Sequence, residues 1–457
     1  MPAFRWLLSL VTVLLALSAG CRCPSCRTVC PPPVAPCAFE PTEPTAAPDL
    51  PALIPFEEAS PADSLCLLPG PIDGYDLLDR GTCQCHAATN TVVANAVLIE
   101  KRWAEVLIDC EEGAVEESLC LTRSLLALQA ADLRNTAAAS ALTSFYLLAG
   151  VEAQEEYLRR GIAEVEATLR RVDSLRSSGL EVPKELDRDE VAARLDDLED
   201  KRLQLGAARV QLNGQLKRSL GCPLDQRRFF WPSVQWAPNL SGVDVNAAVD
   251  IGLANRTDLR SLRLVRCKLN KATVPIARIV LQVADGSLGT VTPTSGIVHK
   301  LRCGDCYKQE VSVRCRQLTM LERDTEQLAI GKIKSAACKV AVQQDRVRLA
   351  RAAVEHRRNE LTRLEKLRDV EDRSIFEVSV ARGRLFDAES ALVTKVVELK
   401  VAEVALREVQ HLLAVDCGYG VAICGEHCCT GECGGCGCRG GCSACGGLTC
   451  CGEVSCN

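Results

Sequence analysis

Cysteine is the residue type that could do chemistry in this chain, since 28 of its 457 residues are cysteines and they concentrate towards the two ends. Thiolates spaced as C-x-x-C can share one metal ion. The C-terminal tail has two such pairs, Cys433 with Cys436 and Cys442 with Cys445. The loop between the pairs is much shorter than in a zinc ribbon or finger. Disulfides or an irregular appendage are therefore favoured over a metal site.

Other catalytic chemistry has little support in the sequence. It contains no P-loop, no Gly-x-Ser-x-Gly elbow, no His-Glu-x-x-His and no dinucleotide fingerprint. Only 5 histidines are present, and we interpret His411 and His427 as incidental rather than as ligands. We predict no catalytic residue, no metal and no cofactor, so the protein is not expected to be an enzyme. A net charge of -5 also argues against a nucleic-acid partner.

The amino terminus indicates export. A single basic residue, Arg5, precedes the apolar stretch Trp6–Leu17 and the small residues Ser18–Gly20. The stretch is shorter than the about 20 residues that span a bilayer, so it is typical of a secretory signal. Because small residues directly precede Cys21, we expect an acylated Cys21 at the mature amino terminus, with plain secretion as the alternative. So many cysteines also favour an oxidising compartment.

The central part of the chain predicts long coiled-coil helices. Apolar residues recur at intervals of three and four, which marks one narrow seam along a helix; they are Leu158, Ile162, Val165, Leu169 and Val172. The pattern breaks at Ser177–Pro183 and resumes at Val191. Helical character extends back to Leu119, so the first helix would be roughly 90 Å long.

A second copy of this pattern follows about 190 residues later. Its seam consists of Leu385, Ala388, Leu392, Leu399, Ala402, Leu406, Val409 and Leu413, and its turn is Arg368–Ser374. In the first copy only Asp109–Ser118 interrupts the helical pattern, so little strand is expected. The fold class predicted is mainly α, with duplicated long antiparallel helical hairpins. Such narrow seams bury little surface within one chain, so self-association is expected.

These patterns divide the chain into six segments. They are a signal peptide with a lipobox-like end (1–21), a Pro/Cys-rich tether (22–80), a first hairpin repeat (81–222), a linker (223–254), a second hairpin repeat (255–415) and a Cys/Gly-rich tail (416–457).

Four short stretches carry a family resemblance. They are Ala254–Arg260, Arg314–Leu318, the turn Leu175–Leu180 and Phe376–Val378. In their order, they resemble the TolC family of outer-membrane efflux channels, and the resemblance covers about Asn90 to Val415.

The resemblance implies a homotrimer whose hairpins form a periplasmic conduit below the outer membrane. The hairpin ends would then point towards an inner-membrane pump and dock a periplasmic adaptor, while a lipid on Cys21 would anchor the chain. The docking residues implied are Gly179, Leu180, Glu181 and Val182 in the first turn and Val370, Glu371 and Asp372 in the second. A periplasmic adaptor and a structural coiled-coil envelope lipoprotein without a channel are the alternatives.

Overall fold

A computed structural model describes residues 74–179, 188–224, 228–292, 306–371 and 375–421. In chain order its elements are β1 (Tyr75–Asp79), α1 (Arg80–Thr89), α2 (Val92–Ile108), α3 (Ala114–Ser177), α4 (Arg188–Leu220), β2 (Phe229–Ser233), α5 (Val245–Asn255), α6 (Thr257–Cys267), α7 (Val274–Ala284), α8 (Cys306–Glu371), α9 (Ile375–Val409) and α10 (Leu413–Asp416).

Four long helices form two antiparallel hairpins, α3 with α4 and α8 with α9. The predicted class of duplicated helical hairpins with little strand is confirmed. Helix α3 has 64 residues and is thus about 96 Å long. Acidic residues in its first turn, Glu116 and Glu117, complement the positive end of the helix dipole. Seam residues including Ile162, Val172 and Leu216 are buried, so the heptad pattern packs the hairpin.

The long helices lie side by side in the order α4, α3, α9, α8. Helix α3 contacts both α4 and α9, and α9 contacts α8. Gly150 permits a close approach of α3 to α9, because a Cβ built there would lie 2.9 Å from Cγ2 of Val397. The two hairpins therefore form one row, with α4 at one edge and α8 at the other.

A short parallel sheet packs on one side of the row. Tyr75 of β1 pairs with Phe229 of β2, and Leu78 and Phe230 are buried against Phe145 of α3. The segment interpreted as a tether thus ends in a strand, and the segment interpreted as a linker contains β2 and most of α5. Five-residue strands are too short to be recognised by their alternation, and their pairing depends on α3.

The second seam ends earlier than its spacing suggested. Helix α9 ends at Val409, and Leu413 begins the separate helix α10. His411 has a φ of 58°, and its turn directs the chain away from the α9 axis. Leu413 is still buried, so it packs in the hydrophobic core and does not belong to the α9 seam.

A disulfide joins the two ends of the described chain, between Cys85 of α1 and Cys417 after α10. Cys267 is disulfide-bonded as well, whereas Cys83, Cys120 and Cys338 are free thiols. Disulfides persist in oxidising compartments, which supports the prediction of export. Among the residues described, no helix is both long and apolar enough to cross a bilayer.

Candidate docking end and inner face

The end of the first hairpin is built by a capped helix terminus and an ion pair. Gly179 has a φ of 71°, which a residue without a side chain adopts at little cost. The hydroxyl of Ser178 donates to the Ser174 carbonyl at 2.9 Å. Across the turn, Nε of Arg188 lies 2.8 Å from Oδ1 of Asp173. Helices α3 and α4 are thus joined at this end by a defined contact.

The docking residues implied by the family resemblance are placed in part. Gly179 follows the end of α3, and Val370 and Glu371 lie in the last turn of α8. Outside the described residues lie Leu180, Glu181, Val182, Asp372 and Cys21. Their roles remain predictions.

The two hairpin ends lie at the same end of the molecule. Thr168 of α3 and Ser379 of α9 share a hydrogen bond of 2.8 Å, and Ser379 donates to Oε1 of Glu164 at 2.8 Å. Thr168 lies about 14 Å before the end of α3, and Ser379 about 6 Å after the start of α9, at 1.5 Å per residue. The end of α3 and the start of α9 therefore lie at the same end of the row.

A cleft of about 520 Å³ opens between α4 and α9 near this end, with α3 as its floor. Its apolar lining includes Tyr157, Leu205 and Phe386. Nη2 of Arg194 lies 3.8 Å from Oδ2 of Asp387 and bridges α4 to α9. Sequence reasoning missed the cleft, because nothing in the seam pattern states that α4 and α9 flank the same helix.

The cleft lies on the face of the row opposite the strands. On α3 the strands pack on the side of Phe145 and Glu152. An α-helix turns by about 100° per residue, so Leu147, Gln154 and Gly161 lie on the opposite side of α3. Leu147 is 42% exposed, and Gln154 donates from Nε2 to Oγ1 of Thr394 at 2.8 Å. We call the surface marked by these three residues the inner face.

A buried charge cluster ties α3 to α4 on the strand side. Nε and Nη2 of Arg209 each donate to the Glu152 carboxylate at 2.7 Å, and Glu155 pairs with the same guanidinium. The Arg209 side chain is 1% exposed and that of Glu152 is 2% exposed. Burial raises the pKa of Glu152, although Arg209 opposes the shift. Burial and the Glu152 charge both raise the pKa of Tyr75.

The polar contacts described above are ion pairs and hydrogen bonds that join helices. In the described part of the chain, no three His, Cys, Asp or Glu side chains are grouped to hold a metal ion. His411, which we had interpreted as incidental, is largely buried beside Asp132.

Comparisons with known proteins agree with the fold. No family model matches the sequence, and no curated protein matches it either. Among solved structures, the Campylobacter jejuni CmeC outer membrane channel superposes with a TM-score of 0.53 at 12% identity, over 73% of this chain and 85% of that chain. A membrane protein from Pseudomonas aeruginosa gives a TM-score of 0.55 at 13% identity, over 77% and 98%. The outer-membrane channel OprN gives 0.53 at 14%, over 80% and 98%.

At such low identity the likeness concerns the fold. The long hairpins that these proteins share with this chain are those that the resemblance to the TolC family implied. The chain therefore has the fold of the TolC-like outer-membrane channels.

Proposed function

We propose that this protein is an outer-membrane efflux component whose long helices enclose a conduit, assembled as a homotrimer. Its hairpin ends dock a periplasmic adaptor and an inner-membrane pump, and a lipid on Cys21 anchors it in the outer membrane. The observation that carries the proposal concerns the two edge helices of the row, α4 and α8. Each has a second seam, spaced by three and four residues, that faces away from the row.

The outward seam of α8 is spaced by three and four residues, as a coiled coil requires. All its members are exposed; they are Leu328, Gly331, Ser335, Cys338, Val342, Asp345, Leu349 and Ala352. This seam is distinct from the buried one, which includes Ile333, Val340 and Val347. A helix with two seams packs between two neighbours. Within the chain α8 contacts α9, α5, α6 and α7, but the outward seam stays exposed among the described residues, so we propose that a neighbouring copy covers it.

The outward seam of α4 has the same spacing. It consists of the exposed residues Ala193, Asp196, Asp200, Leu203, Ala207 and Val210. Val210 and Leu349, 41% and 71% exposed, each lie about 22 residues, or about 33 Å, from the hairpin end of their helix. The α4 seam of one copy can therefore meet the α8 seam of the next at a common height.

Charge supports this pairing near the hairpin ends. Asp196 and Asp200 are exposed on α4, and Arg363 and Lys366 are exposed on α8. Asp196 and Arg363 each lie about eight residues from the hairpin end of their helix. Opposite charges at one height favour contact between unlike edges. Repeated contacts of this kind close into a ring, which is the assembly a conduit needs.

At the far end of the molecule, α2 continues the α4 edge. One exposed stripe of this helix is uncharged, although the exposed Arg102 lies beside it; the stripe consists of Val92, Ala96, Ile99, Trp103 and Val106. An uncharged stripe with a large aromatic residue is typical of a surface that is covered in an assembly. The adaptor alternative, a single hairpin between strand-rich halves, agrees poorly with two hairpins and a two-stranded sheet.

Replacing Leu349 with Asp should disrupt the trimer, because each contact loses an apolar side chain and gains a charge. Burying a leucine contributes about 1.5–3 kcal/mol, so the dissociation constant should rise at least about tenfold per contact. Leu147→Asp is the matched control, since it makes the same change on the inner face. Analytical ultracentrifugation in detergent measures both. A monomeric wild-type protein, or equal effects of the two variants, would contradict the ring.

Docking at the hairpin ends is tested by Leu180→Asp. We expect weaker co-purification with a co-expressed adaptor and an unchanged melting temperature, since Leu180 lies outside the seam. Leu147→Asp again serves as the control. If Leu180→Asp instead lowers the melting temperature and leaves co-purification unchanged, Leu180 stabilises the folded chain, and the proposal that the adaptor docks at this turn is wrong.

A further inference from the structure

His411 occupies a backbone position that usually belongs to glycine. Among the described residues it is the only one other than glycine with a positive φ. Its amide donates to the Glu408 carbonyl at 2.9 Å, and the Leu412 amide donates to the Arg407 carbonyl at 3.1 Å. Glycine commonly provides the left-handed residue in this type of helix end. A histidine at this position is costly for the backbone, and contacts of its side chain must offset that cost.

The imidazole joins three helices. Nδ1 lies 3.1 Å from Oγ1 of Thr257 at the start of α6 and 3.4 Å from Oδ1 of Asp132 on α3. Nη1 of Arg256 donates to the Val409 carbonyl at 3.1 Å, so the same turn also closes the end of α9. The imidazole is 10% exposed. Its protonation must therefore occur inside this contact.

The charges around His411 come from each helix packed against it. They are Asp132 on α3, Arg256 and Asp258 at the start of α6, Lys332 on α8 and Glu408 on α9 itself. Arg407 and Asp416, in the same turn, pair with each other. Two acidic and two basic groups therefore face the imidazole directly, and Glu408 faces Asp132. The charges that act on His411 thus leave no excess negative charge to hold a proton in a site with little water.

We propose that this turn is an acid-sensitive clasp, in which uptake of a proton by His411 loosens the end of α9 from α3 and α6. The clasp would regulate how firmly α9 is attached to α3 and α6. This inference rests on the contacts of His411 and is independent of the proposed function in efflux.

The direction of the pH effect follows from burial. Burial lowers the pKa of His411, and the charges of Asp132 and Asp258 only partly offset this. A lowered pKa means that the open turn binds the proton more readily than the closed one. The closed turn is then most stable above about pH 6.5, the ordinary histidine value, and loses stability as the pH falls towards the lowered pKa. Burial also raises the pKa of Asp132, which acts in the opposite direction, but this carboxylate is half-exposed.

Hydrogen exchange of the peptide spanning residues 405–416 tests the clasp, measured from pH 7.5 to 5.0 on the full chain and corrected for intrinsic exchange. In the wild type, the opening constant should rise as the pH falls, by up to about tenfold for each unit by which the His411 pKa is lowered. His411→Asn should show no such rise, since asparagine tolerates the left-handed backbone and does not titrate.

Asp132→Asn separates the contribution of the carboxylate. It removes the charge that raises the His411 pKa, so the rise should move to lower pH. If His411→Asn does not fold, His411→Gly replaces it, because glycine is the usual residue there. A flat wild-type profile, or the same rise in the non-titrating variant, would overturn the proposal.

Discussion

Replacing Arg209 with Met should destabilise the protein by about 3–5 kcal/mol, the usual result when one partner of a buried ion pair is removed. Glu152 and Glu155 would remain buried without their guanidinium. The loss should grow as the pH rises, because without Arg209 a buried carboxylate escapes an uncompensated charge only by binding a proton, and burial already raises the pKa of Glu152. Urea unfolding followed by circular dichroism measures the change.

Arg188→Met is the matched control for this prediction. It removes an ion pair of the same type between α3 and α4, with Asp173, but both partners are well exposed. We expect little change, since solvent screens such pairs. Combining Arg209→Met with Glu152→Gln and Glu155→Gln should recover part of the stability, because no uncompensated buried charge is then left. If the two arginine variants behave alike, the Arg209 cluster is not desolvated in solution.

Removing the disulfide with Cys85→Ser and Cys417→Ser should cost about 2–5 kcal/mol, because the bond closes a very long loop of the unfolded chain. The sequence separation is 332 residues. Part of the attachment should persist, since Nε2 of Gln84 donates to the Leu413 carbonyl at 2.8 Å. The double variant is preferable to a reducing agent, which would also open the disulfide of Cys267.

Cys120→Ser is the control for the disulfide, since Cys120 is a free thiol outside both outward seams. Its unfolding curve should match that of the wild type. Limited proteolysis should show where the double variant loosens, with earlier cleavage after α10, where Tyr419 hydrogen bonds to Thr89 at 2.7 Å. Equal midpoints for the double variant and Cys120→Ser would show that other contacts hold this end of the chain.

The sequence by itself determined the long helices, but the predicted second turn, Arg368–Ser374, began too early, because α8 continues to Glu371. A seam such as Leu158 to Val172 is a local property, because spacing by three and four places residues on one side of a helix whatever lies beyond it. Gly179 likewise marked the end of α3 through its own backbone freedom. The family-like stretch Ala254–Arg260 was also recognised, but its structural role was not. Arg256 in that stretch closes the end of α9, which is 153 residues away in the chain.

Only the tertiary structure decided how the helices are arranged. A seam shows that a helix packs against a partner, but the spacing of its apolar residues is the same whichever helix the partner is. The sequence could therefore not show that α3 lies between α4 and α9, or that α4 and α8 lie at the edges of the row. For the same reason, the sequence did not reveal which charged and polar residues would be buried. Arg209 and His411 resemble surface residues in the sequence, and they became buried because helices distant in the chain supply the groups that pair with them.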